Sequence, residues 1–147
     1  TLRAKYPKLS TEGRMHGLAG QSTAGAVVFD IAYAQPDFFG KVLGTSASFV
    51  CFMPWLYPYQ TKVTAANAAK LRVSLTTGSC DIYPSVDDRI AAMCTPCTDG
   101  GCVDGSQCAA NWMETNRTVA QALIQKGYKA RLLITSKGGH MNWAASI

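Results

Sequence analysis

The 147-residue sequence predicts an α/β fold, a mainly parallel sheet flanked by helices, and two observations predict it. Short apolar runs with strand character alternate with longer runs of helical character. No hairpin signal joins consecutive strands, so the connections read as crossovers. Ser22, Asp81 and His140 each fall just past the end of a predicted strand, where ligands gather in such sheets because loops converge and helix N-termini point there.

Taken in order, residues 1 to 9 read as the end of an amphipathic helix, with Leu2 and Tyr6 four apart and Pro7 as its stop. "GRMHGLAG" reads as a short buried strand leading into Gly20. Residues 23 to 34 (TAGAVVFDIAYA) are helical, with a stripe of Val27, Val28, Ile31 and Ala32, and Pro36 forbids continuation. Because that helix is apolar on most of its circumference, it is expected to be central. "KVLGTSA" at 41 to 47 is a second strand. In "KLRVSLTTGSCD", Leu71, Val73 and Leu75 alternate with Arg72, Ser74 and Thr76, the pattern of a strand with one polar face that ends in a turn at Gly78. "NRTVAQALIQKG" is a helix with Val119, Ala122, Leu123 and Lys126 on one face, closed by Gly127. "KARLLITS" is the last strand, and "KGGHMNWAASI" sets His140 directly after it.

At 48% hydrophobic and 16% charged residues the chain supports one domain with a real core, spanning residues 1–147, rather than disorder. No run approaches the roughly 18 apolar residues of a membrane span, and residues 1 to 10 lack the apolar centre of a signal peptide, so any targeting sequence is expected to lie elsewhere. The net charge of +5 is spread along the chain without a block of like charges, which points to an ordinary solvated surface rather than to nucleic acid. Four of the six cysteines crowd into residues 94–108, "CTPCTDGGCVDGSQC". Only "TDGG" separates Cys97 from Cys102, whereas zinc ligand pairs usually stand about 12 to 20 residues apart. The reading is a disulfide-rich insertion, in a secreted protein or another oxidising compartment, and no metal or other cofactor is expected.

A serine hydroxyl becomes a nucleophile when a base removes its proton, and histidine does this best when a carboxylate fixes its tautomer. "GQSTAG" places Ser22 among small residues, as a nucleophile on a sharp strand-to-helix turn requires, although G-x-S-x-A replaces the usual G-x-S-x-G. Other polar residues read more plainly. His16 is a packed, satisfied histidine. Asp30 is structural, about two turns along the helix. Gln21 flanks Ser22 and is a possible substrate contact. Asn116-Arg117-Thr118 is a glycosylation sequon, but Asn116 falls on the apolar side of its helix. The aromatic segment 48 to 59, "SFVCFMPWLYPY", suits either a pocket lining or packing.

"GLAGQSTAGAVVFDIAYAQPDFFGKVLGTSASF" resembles the nucleophile turn, helix and following strand of the esterase family of α/β-hydrolases that includes enterochelin esterases and S-formylglutathione hydrolases. "LTTGSCD" and "NRTVAQALIQKGYKARLLITSKGGHMNWAASI" are similar to that family's acid turn and its last helix, strand and histidine loop. The resemblance implies an α/β-hydrolase fold and the acyl-enzyme chemistry of a serine esterase, with Ser22 as nucleophile, His140 as general base and acid, and Asp81 as orienting carboxylate. The backbone N–H of Thr23 would be one oxyanion donor. Asp87 and Asp88 remain alternatives for the acid.

The resemblance covers the C-terminal half of such a fold, without the loop that supplies the second oxyanion donor. The rest is expected in the same or another chain. A sheet of about four strands standing alone exposes an unpaired edge, so residues 1–147 by themselves are expected to aggregate. The implied substrate is a small-molecule or carbohydrate ester. The alternative is an inactive esterase-like module of a larger secreted assembly, since a fold does not entail a function.

Overall fold

The computed structural model describes residues 2–49, 59–78, 81 and 112–135. His140, the cysteines at 51, 80, 94, 97, 102 and 108, Asp87, Asp88 and residues 50–58 of the aromatic segment lie outside the described residues. Among the described residues, four strands form one parallel sheet in the order β1 (Gly17–Gln21), β2 (Lys41–Thr45), β3 (Arg72–Gly78) and β4 (Lys129–Thr135). Among the described residues four α-helices accompany it: α1 (Leu2–Lys5), α2 (Ser22–Ala34), α3 (Tyr59–Lys62) and α4 (Trp112–Gln125). No helix among the described residues is long and apolar enough to cross a membrane.

The alternation along each strand decides where the core lies. Leu18, Val42, Val73, Ala130 and, two residues on, Leu75 and Leu132 are register partners on one face. They join Ala26, Phe29 and Ala32 of α2 and Val119, Ala120 and Leu123 of α4 in a single apolar core. Tyr59 of α3 closes its side, edge-on to Phe29 and packed on Phe49. Burial, and then the carboxylate of Asp30 that accepts the Tyr59 hydroxyl at 3.0 Å, push the Tyr59 phenol well above its ordinary range. Asp30 is therefore structural, tying α2 to α3.

Two expectations change. Among the described residues α2, α3 and α4 gather on one face of the sheet. On the other face Leu43 is 40% exposed and Leu133 49% exposed among the described residues. Val27 and Ile31 of α2 are also exposed, at 49% and 42%, while Gly25, Ala26, Phe29 and Ala32 are buried. Hydropathy could not find that phase, because nearly every position of α2 is apolar. Close approach sets it: a Cβ added at Gly25 would lie 2.8 Å from the Cβ of Ala47, so Gly25 must face the exit of β2, and that phase turns Val27 and Ile31 outward. Lastly, "GRMHGLAG" is not one buried strand. Residues Gly13–Met15 form a 3-10 turn, and β1 is a partly exposed edge strand. His16 stands between the two, half-buried, with Nδ1 3.1 Å from the Phe38 carbonyl and Nε2 2.8 Å from the Ser10 carbonyl, so a ring N–H finds an acceptor on either side, but the residue is not within a strand.

The helix read at "NRTVAQALIQKG" starts earlier, at Trp112, and ends as expected before Gly127, whose φ is 85°. Val119 and Leu123 are fully buried, whereas Lys126 is exposed. The polar face expected for β3 holds only at its start: Arg72 is exposed and Ser74 half-buried, but Thr76 is buried, its hydroxyl donating to Thr45 Oγ1 at 3.2 Å.

Candidate active site

Gln21 ends β1 in extended conformation, and the chain turns at Ser22 directly into α2. Ser22 has φ of 54°, in the left-handed region that costs a residue with a Cβ roughly 1–2 kcal/mol. Such strain persists where the surroundings over-determine it, and here Gly20 shows how. A Cβ at Gly20 would sit 2.4 Å from the carbonyl oxygen of Ala24, so only glycine lets the first helical turn fold back over the strand end. The substitution of alanine for the last glycine of the usual pattern is harmless because Ala24 is exposed. The close contact falls one residue later, on Gly25.

Ser22 is half-buried and Thr23, next along, is exposed. The N–H of Thr23 belongs to the first helical turn, whose donors have no partner within the helix and lie at the positive end of its dipole. Gln21, also half-buried, adjoins this turn.

Asp81 follows β3 at the same, C-terminal, edge of the sheet and is 1% exposed. Its Oδ2 accepts from the Thr77 hydroxyl at 2.8 Å, its N–H donates to the Gly78 carbonyl at 3.1 Å, and its carbonyl accepts from the Trp112 N–H at 3.0 Å. A carboxylate this deep must be held by hydrogen bonds, and the Thr77 hydroxyl at the end of β3 supplies one. The structure thus brings Ser22 and Asp81 to one edge of the sheet, two strands apart. The third predicted member, His140, lies outside the described residues.

One residue at this edge, Ser48, was not singled out from the sequence, and another, Asn116, was singled out only as part of a sequon. Ser48 Oγ lies 3.2 Å from Ser22 Oγ and accepts from Trp112 Nε1 at 3.0 Å. "GTSASF" follows a strand just as "GQSTAG" does, so the same strand-end rule that marked Ser22 also marks Ser46 and Ser48. Asn116 is fully buried one helical turn beyond Trp112, and its Nδ2 donates to the Ala47 carbonyl at 2.8 Å and the Trp112 carbonyl at 2.7 Å. Because Nδ2 is the atom a glycan would occupy, the sequon is incompatible with glycosylation in this fold. Among the described residues, no cluster of His, Cys, Asp or Glu is arranged to hold a metal.

No known protein family and no curated protein matches the sequence. Solved structures do share the fold. A ferulic acid esterase superposes with a TM-score of 0.65 at 15% identity, over 99% of this chain and 52% of its own. The enterobactin esterase FES from Shigella flexneri, solved in the presence of 2,3-dihydroxy-N-benzoyl-glycine, gives 0.57 at 20% identity, over 95% of this chain and 30% of its own. The esterase PE8 gives 0.55 at 18% identity, covering 95% and 47%. The chain therefore has a fold found in esterases and spans about half the length of the first of these structures, and less of the others.

Proposed function

We propose that this chain carries the nucleophile of a serine esterase that hydrolyses a carboxylic ester through an acyl-enzyme. The observation that carries this reading is the strained Ser22, held at φ of 54° on a strand-to-helix turn beside the N-terminus of α2. Ser22 Oγ attacks the ester carbonyl while His140 takes its proton. His140 then gives that proton to the departing alcohol, and water releases the acyl group by the same steps in reverse. Asp81, the buried carboxylate at the same sheet edge, orients the histidine. The Thr23 N–H binds the oxyanion, and Gln21 is within the turn that substrate would meet.

The second oxyanion donor belongs, in this reading, to the part of the fold outside this chain, which also pairs with the open side of β1. The cysteines of residues 94–108 form disulfides in an oxidising compartment. Esters are the substrates of the structural neighbours, and an ester of a small molecule or a carbohydrate is the substrate class proposed here.

A fluorophosphonate probe tests the reading on the full-length protein, since it phosphonylates an activated serine and leaves ordinary serines alone. Labelling of wild type that Ser22→Ala abolishes is the expected result. Absent labelling, or labelling that survives the substitution, would leave an esterase-like module without catalysis.

A further inference from the structure

The exit of β2 is built as unusually as the turn at Ser22. Ser46 is buried, has φ of 45°, and donates its N–H to the Thr76 carbonyl at 2.7 Å. Ser22 and Ser46 are the non-glycine residues with positive φ among the described residues, and they sit at the ends of neighbouring strands. Backbone strain of this kind is kept where it aims something. Two residues after Ser46, the buried Ser48 donates its N–H to the Ser22 carbonyl at 2.8 Å and brings Oγ to 3.2 Å from Ser22 Oγ.

Ser48 is held in turn. The indole of Trp112 can only donate, so at 3.0 Å it occupies one lone pair of Ser48 Oγ. That leaves Ser48 its proton and one lone pair to meet Ser22. Trp112 is fixed at both ends: its N–H donates to the Asp81 carbonyl at 3.0 Å, and its carbonyl accepts from Asn116 at 2.7 Å. A chain of hydrogen bonds therefore runs from the turn that carries Asp81, through Trp112 and Ser48, to the hydroxyl of Ser22.

We propose that Ser48, anchored by Trp112, is a positioning residue for the nucleophile: its hydroxyl holds Ser22 Oγ in the orientation from which it attacks. The proposal rests on the reading of Ser22 as nucleophile. Ser48 keeps its own proton throughout and donates it as a hydrogen bond to Ser22 Oγ, while the proton of Ser22 goes to the base. Confining Oγ to one orientation removes a search that would otherwise precede each attack. A purely structural role is distinguishable, because the backbone tie from the Ser48 N–H to the Ser22 carbonyl survives any side-chain change.

The test is the rate of fluorophosphonate labelling of the full-length protein at several probe concentrations, which separates binding from the bond-forming step. Wild type is compared with Ser22→Ala, Ser48→Ala, Ser48→Thr and Trp112→Phe, each checked for native near-UV circular dichroism. Ser48→Ala should slow bond formation on the order of tenfold to a hundredfold with probe binding unchanged. Ser48→Thr should recover most of that rate, and Trp112→Phe, which keeps the ring but not the donor, should show part of the loss. Wild-type rates in Ser48→Ala, or a loss confined to binding, would overturn the proposal. Should Ser48→Ala fail to fold, Trp112→Phe decides, and an unchanged rate there overturns it too. Failure of the nucleophile reading looks different, since wild type would then not label or Ser22→Ala would.

Discussion

The two ends of the same four strands are built on opposite rules. At the C-terminal end, Ser46, Ser48, Thr77, Asp81, Trp112 and Asn116 are buried and hydrogen-bonded to one another or to nearby backbone, and Ser22 and Ser46 are strained. At the N-terminal end, Lys41, Arg72 and Lys129 are register partners on three adjacent strands, with Arg131 two residues further along. They line a shallow groove of about 390 Å³ with Ser74, whose hydroxyl accepts from Arg131 Nε at 2.9 Å. The ion pairs among the described residues lie elsewhere, at Arg14 with Glu12 and Lys70 with Asp37. Like charges on neighbouring strands repel, and such a row is tolerable because Lys41, Arg72 and Lys129 are exposed to water that screens them. Polar side chains go into the interior here with partners for most of their atoms, Asn116 Oδ1 being the exception among the described residues, and the strained Ser22 and Ser46 sit where side chains are aimed.

The sharpest way to break the C-terminal end is Asn116→Asp. The side chains match in shape, but the aspartate has no donor for the carbonyls of Ala47 and Trp112 and brings a negative charge against them. The expected loss is about 3–5 kcal/mol at neutral pH, the scale of an uncompensated buried charge, read from urea unfolding of the full-length protein. Less drastic is a comparison at the elbow itself. Ser22→Gly should be more stable than Ser22→Ala by about 1 kcal/mol, because glycine adopts a φ of 54° without strain. Equal midpoints would show that the turn relaxes once the serine is gone. The smallest effect belongs to the other end. Arg72→Glu, which puts a carboxylate between Lys41 and Lys129, should stabilise by a few tenths of a kcal/mol at low salt, and the gain should fade as salt is added.

The contrast also marks what was legible beforehand. Charge scattered through the sequence reads as an ordinary surface, and only the parallel register stacks Lys41, Arg72 and Lys129 side by side. The strand and helix alternation is plain because residue types change with each element. The facing of α2 is not, since a helix apolar all round carries no phase, and the approach of Gly25 to Ala47 sets it instead. Ser22 and Asp81 could be picked out because strand ends in a parallel sheet are visible as ends of apolar runs. The same rule also reaches Ser48, but its pairing with Trp112 was not legible, since it joins residues 64 apart in the chain through one hydrogen bond of 3.0 Å.

By itself, then, the sequence determined the class of fold, the order of its four strands and two long helices and the serine at the first strand end, because periodicity and turn chemistry are local properties. The tertiary structure decided which face of α2 meets the sheet, that Asn116 is buried rather than available to a glycan, and that a second serine stands 3.2 Å from the first. Those depend on close approach between distant segments, and local propensity is blind to distance in space.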